Sequence, residues 1–374
     1  MSVAAHASGA PMVQEGDQEG DMSRHKSALY ATQTGMVVNP VRAYPKIPGV
    51  DVVFPPFHVT QYQDLTAALA KRKVDPQTRL MVFDVGQQTL ALVLQQMAFH
   101  HVAQGQLDGH AWAAFFCVSC NMGTTLTPIV NGRLHRFRVT GIYNSMSMMS
   151  DDETGSVWEH VTGECIRGSL QGAQLQTRPA QYLTAAQLVE AVPDARIALS
   201  RASLRSRLLN VLLLRRMLRP TGYMPGAFRL SMTKRDKRLP ELELGLGIWM
   251  NGRARFYPMR TIKGQNNALI DTLDQQQIVV YIDPATGTPA AHRCTAQFAR
   301  WDGDSLALDA GERIRNGYVV NAAAEQHPLN RPNQQFTRWY GFSYMFPACE
   351  IFSMAPEEGG NSSSGSSRSK VRTA

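Results

Sequence analysis

Cysteine is scarce in this chain, with five in 374 residues. That density excludes a small scaffold stapled by disulfides. Charge is also thin, at 18% of residues, below the quarter usual in globular proteins. No uninterrupted apolar run approaches the roughly eighteen residues that a membrane-spanning helix needs. A phosphate-gripping glycine loop, a Ser/His/Asp order and a zinc-protease helix are all missing, so no reaction is named. What is present is a hydrophobic share of 44%, enough for a sizeable core. The balance is basic, with 38 Lys and Arg against 30 Asp and Glu.

Composition divides the chain. Residues 1–45 are rich in Gly, Ala, Ser, Gln and acids and poor in large apolar side chains. Such a segment cannot offset its ordering entropy by burial and is expected to be disordered. Starting from Met1 or Met22, no basic start leads into an apolar stretch. The expectation is therefore a cytoplasmic protein with reduced thiols. A disordered Ser/Gly tail is expected over 355–374. Between the ends lie a first half (46–200), a basic helix and linker (201–240) and a second half (241–354).

Two stretches align without a gap at a spacing of 166, one from Leu80 and one from Leu246. Each reads as an apolar strand ending in a turn (Gly86 and Gly252), a helical segment, a Leu-Asp turn and a second apolar strand. In this alignment Cys117 meets Asp283, Cys120 meets Thr286 and His101 meets Asn267. Further on, His135, Phe137 and Val139 share one strand face and Arg136 and Arg138 the other. Thr184 caps a helix over AAQLVEAV that Pro193 ends. The fold class is a β-rich α+β protein. It has two weakly related strand–helix–strand repeats, mixed sheets and short helices.

These motifs resemble a known family, the prokaryotic domain of unknown function 3179. The resemblance rests on FFCVSCNMG, on GRLHRFRVTGIYNSMSMMSDDETGSVWEHVTGECIRGSLQGAQLQ and on VPDARIALSR. It continues in DKRLPELELGLGIWMNGRARFYP and VVYIDPATGTPAAHR, covering about Leu80 to Arg293. The family usually has Cys-Pro-Leu-Cys-Gly where this chain has Cys117-Val118-Ser119-Cys120-Asn121, which puts the geometry of the loop after Cys120 in doubt. Many members carry an export signal. The resemblance implies no established activity.

Cys117 and Cys120 are the sharpest chemical feature. Two thiols three apart at a strand end can serve as a metal pair or a redox pair, and they are the candidate catalytic residues. A strand rather than a helix follows them, which argues against a thioredoxin-like site. Cys165, Cys294 and Cys349 stand alone, so a four-cysteine zinc site is incomplete. His101, at the end of the preceding helix beside His100, is the expected third ligand; His135 is a weaker candidate. Met122, Met146 and Met148 add soft sulfur, which selects copper(I), with zinc the other candidate. Asn144, Asp151, Thr154 and Trp158 are the candidate small-ligand residues. The bland alternative makes the cysteines buried packing residues, Asp151 and Thr154 turn formers and Trp158 core.

Residues 201–238 hold eleven Arg or Lys and a single acid, Asp236. Within them a helix stopped by Pro220 is expected, with Leu204, Leu208, Val211 and Leu212 on its apolar face. Such a segment suits an anionic membrane surface or an acidic partner. Nucleic acid is disfavoured, because no recognised module or aromatic platform accompanies the charge. The functional reading is a soft-metal or thiol-based redox protein acting through Cys117 and Cys120. The alternative is a non-catalytic binder of a small molecule or partner with a structural Cys pair.

Overall fold

The computed structural model describes residues 29–39, 53–201, 208–309 and 311–353. The expectations for 1–28, 40–45 and 355–374 fall outside the described residues. Strands dominate and the helices are short, as the β-rich α+β reading expects.

The stretch from Leu80 begins with a hairpin. Arg79–Val85 pairs antiparallel with Gln88–Val93, followed by the helix Leu94–His100 and a second hairpin of Val102–Leu107 with His110–Cys117. The stretch from Leu246 has the same order. Leu244–Met250 pairs with Arg253–Pro258, the helix Met259–Gly264 follows, and Ala268–Leu273 pairs with Gln276–Ile282. Each unit is thus strand–strand–helix–strand–strand. Residues 88–93 and 253–258 are strands where the sequence suggests helix. Their partner strands and an apolar layer on one face override a weak local preference.

Each first hairpin is extended in the same way. Gln181–Thr184 lies antiparallel on Arg79–Val85, and Arg196–Ala198 runs parallel to Gln88–Val93. Likewise Asn333–Arg338 lies antiparallel on Leu244–Met250, and Glu350–Ile351 runs parallel to Arg253–Pro258. The helix Ala185–Ala191 connects the first pair of added strands and carries the expected cap. Thr184 Oγ1 accepts from Gln187 N, and Gln187 Oε1 accepts from Thr184 N.

The second hairpin of the first half continues into Met122–Thr127 through the turn that holds the cysteine pair. Phe137–Tyr143 and Met146–Asp151 form another hairpin, turned by Asn144 and Ser145, both with positive φ. Along Met146–Asp151 the side chains alternate. Met146 and Met148 enter the buried cluster of Cys117 and Cys120, while Met149 joins that of Phe137 and Trp158.

Two expectations change. Residues 29–39 are ordered: Tyr30–Ala31 pairs with Val37–Val38, and Met36 and Val38 are buried in the same cluster as the cysteines. The apolar triplet Met36-Val37-Val38 is diluted in the average composition of 1–45, yet it suffices to anchor this short hairpin. In the basic segment, helix occupies residues 208–217 of the described chain; Leu204 lies outside the described residues. Its inward side chains are Leu214 and Met217, while Leu208 and Leu212 are 60% and 61% exposed. The spacing of Leu208 and Leu212 is helical, but the core, including the helix Leu94–His100, meets the opposite face.

The halves interlock. The cluster around Cys117 and Cys120 takes Trp339, Tyr340, Phe342 and Met345 from the helix Trp339–Met345 at the far end of the chain.

Candidate metal centre

Cys117 ends the strand His110–Cys117, and Cys120 lies in the turn before Met122–Thr127. The turn closes because Asn121 adopts φ 60°, a left-handed conformation that Asn tolerates better than most residues. In the second half, Gly287 takes φ 66° at the matching place. Asn121 therefore takes a left-handed step at the place where the family pattern has Gly, a residue that adopts this conformation readily.

The turn at residues 283–287 is held by a polar lock. Asp283 Oδ1 accepts from Thr286 N at 2.8 Å and Thr286 Oγ1 at 2.9 Å. Asp151 and Thr154 repeat the arrangement, at 2.6 Å and 2.8 Å. At residues 117–120 this polar lock is absent. Sulfur stands at both positions, and the turn is held from outside. Arg338 N and Thr337 Oγ1 each donate to Cys120 O at 3.0 Å.

Both thiols are buried, Cys117 at 2% exposure and Cys120 at 0%. The side chain that joins them is His160. The two Sγ atoms and a His160 ring nitrogen all lie within 4.8 Å of one another. His160 Nε2 faces Cys120 Sγ at 4.0 Å. Its Nδ1 is buried and has no hydrogen-bond partner among the described residues. The loop that carries His160 is pinned by the buried Glu159 carboxylate, which accepts from Val161 N at 2.7 Å and Thr162 N at 2.8 Å.

The surroundings distinguish the two sulfurs. Burial alone would push the Cys117 thiol up. The hydrogen bond with Cys120, the charge of His160, Ser119 Oγ at 3.2 Å and Ser147 N at 3.4 Å outweigh it and hold Cys117 well below the ordinary range. Burial and then the neighbouring Cys117 push Cys120 well above that range.

His101 is also buried, but it is not in this group of ligand atoms. Its ring packs on Phe54 with centroids 4.5 Å apart, and its Nδ1 lies 3.3 Å from Phe99 O. Burial lowers its pKa despite the opposing pull of Cys117. His100 is taken up by Pro55 O and Ser200 Oγ. The third ligand atom within reach is thus His160, where the sequence points to His101. His160 stands in the quoted family-like stretch, two residues after Trp158. Its forty-residue separation from Cys120 hides the contact.

The candidate small-ligand residues are engaged internally. Trp158 is fully buried, and its Nε1 donates to Asp151 Oδ2 at 2.8 Å. Asn144 Oδ1 accepts from Thr233 N and Thr233 Oγ1, both at 2.9 Å. The Asn144–Ser145 turn does border the thiols, since Ser119 Oγ donates to Ser145 O at 2.8 Å. His135, Asp151 and Glu153 form a second group. Its carboxylates are already occupied, Asp151 by Trp158 and Thr154 and Glu153 by Arg136.

Two paired thiols and an imidazole in an apolar shell can bind a soft cation or exchange electrons as a dithiol. No curated protein and no solved structure matches the chain. One family does, described as "Protein of unknown function (DUF3179)", and its match spans residues 46–349. The order of motifs and the extent of that match agree, and the chain belongs to this family.

Proposed function

We propose that this protein holds one soft metal ion, copper(I) or zinc, between Cys117, Cys120 and His160. The observation that carries the reading is the meeting of three buried ligand atoms within 4.8 Å. In a tetrahedral zinc site, bonds of about 2.0–2.3 Å place such atoms about 3.5–3.8 Å apart, so a small contraction suffices. The imidazole adds support. Its Nε2 is the nitrogen turned toward Cys120 Sγ, as that of a ligand to a shared ion would be. The adjacent Met122, Met146 and Met148 make the shell sulfur-rich, which favours copper(I).

The redox reading uses the same thiols. The split of one low and one high thiol suits attack followed by resolution. A bulky disulfide partner would need access, however, and neither sulfur has it at 2% and 0% exposure. A held ion needs no such access.

The shared element order of the two halves supports reading the second as a copy without soft ligands. There Asp283 and Thr286 bond to each other instead.

The test is metal content. Full-length protein purified without an affinity tag is titrated with copper(I) under reductant, and separately with zinc, against a chromogenic chelator. About one ion per chain should be retained, and Cys117→Ala with Cys120→Ala should abolish retention. His160→Ala should weaken it by about tenfold or more. No retention, or equal retention by the variants, overturns the proposal. Thermal unfolding of each variant separates lost binding from lost folding.

A further inference from the structure

A cavity of about 700 Å³ opens between the two hairpin turns, walled by Asn121 from the first half and Thr286 and Gly287 from the second. Its volume is that of a small-molecule site. Its charge is one-sided. Arg79, Arg260 and Lys263 line it against a single carboxylate, Glu243, which lies 3.3 Å from Arg260. Arg79 and Lys263 form no ion pair among the described residues. The rest of the wall is largely hydrocarbon, including Leu218, Leu242, Leu244, Met259 and Phe336.

A second cavity, of about 490 Å³, shares Arg79, Leu218 and Pro220 with the first. It adds Arg215 and Arg219 and has no carboxylate in its wall. The shared residues place the two cavities side by side. Free cations on a hydrocarbon-lined groove match an anion that carries an apolar body. A bare inorganic anion would leave the hydrocarbon wall unused, and a neutral lipid would leave the cations unpaired.

We propose that this groove binds an anionic amphiphile, a small molecule with a carboxylate head and an aliphatic body. The carboxylate sits among Arg79, Arg260 and Lys263, and the chain lies along Leu218 and Leu244. No part of this rests on a metal at the cysteines, whose sulfurs are not in the wall.

The experiment is calorimetric titration of the full chain with decanoate below its micelle concentration, beside decanol and inorganic phosphate. Decanoate should bind at least about tenfold more tightly than either comparison compound. Arg79→Ala combined with Lys263→Ala should weaken decanoate by about tenfold or more. The pair Arg133→Ala and Arg300→Ala makes the same charge change outside the groove and should not. Absence of binding, equal affinity for decanol or phosphate, or equal losses in the two double variants overturns the proposal. Repeating the titration with Cys117→Ala/Cys120→Ala protein separates this site from the metal site, because decanoate affinity should be retained there.

Discussion

Among single residues, Asn121 shows how a departure from a motif keeps its geometry. Its φ of 60° is open to Gly and Asn and costly for a β-branched side chain. Asn121→Gly should therefore cost only the bond that Asn121 Nδ2 donates to Phe336 O, about 0.5–1.5 kcal/mol, while Asn121→Val should add roughly 1–3 kcal/mol of backbone strain to that loss, as measured by urea unfolding. The thiols make a pH prediction in metal-free protein. Cys117 is held low in the folded state, so its contribution is lost as pH falls through that lowered value and is fully present above the unfolded thiol pKa, about 8.5. Cys120 is held high, so its contribution is fully present below about pH 8.5 and is lost as pH rises toward its folded value. Subtracting the stability curve of Cys117→Ser from that of the native protein should give a difference rising up to about pH 8.5. The same subtraction for Cys120→Ser should give a difference falling above it. Flat differences on urea-unfolding curves across this range would remove the assigned split.

Between elements, Arg338 is the joint. It precedes the helix Trp339–Met345, is 1% exposed, has no carboxylate partner among the described residues, and donates to carbonyls instead: Met217 O at 3.0 Å, Arg219 O at 2.8 Å, Pro220 O at 3.2 Å and Leu242 O at 2.9 Å. Those acceptors include the end of the basic helix, where unpaired carbonyls favour a cation. Meanwhile Arg338 N donates to Cys120 O. One residue thus ties the basic helix to the cysteine turn. Lysine keeps the charge but lacks the planar fork, so it leaves some carbonyls unpaired. Arg338→Lys should cost about 2–4 kcal/mol in urea unfolding and loosen the cysteine turn. Native thiol labelling of Cys120 should accelerate relative to the parent protein by more than labelling of Cys294 does.

For the whole molecule, the boundary near residue 200 is a boundary in sequence and not in packing. Gln335 reaches across the halves, accepting from Gly123 N at 3.2 Å and donating to Thr124 Oγ1 at 2.7 Å. The aromatic residues of Trp339–Met345 cover the cysteines. A fragment of residues 46–200 would leave that cluster open to water. It should show no cooperative thermal transition by circular dichroism and should bind a hydrophobic dye. Co-expression with residues 201–374 should restore a cooperative transition. A fragment that unfolds cooperatively by itself would contradict this account of the core.

The local signals in the sequence carried as far as their range. The capping box at Thr184, the alternation of Met146, Met148 and Met149, the β-rich class and the nearness of Cys117 to Cys120 all depend on neighbours a few residues apart. Such periodicity and capping follow from backbone geometry and can be read along the chain. Tertiary structure decided the rest. It exposed Leu208 and Leu212 and buried Leu214, because helical spacing defines faces but not which one meets a core. It drew Met36 and Val38 from a polar segment into the cysteine cluster. It brought His160 to the thiols and left His101 against Phe54, because a ligand set depends on distances in space, which sequence separation does not encode.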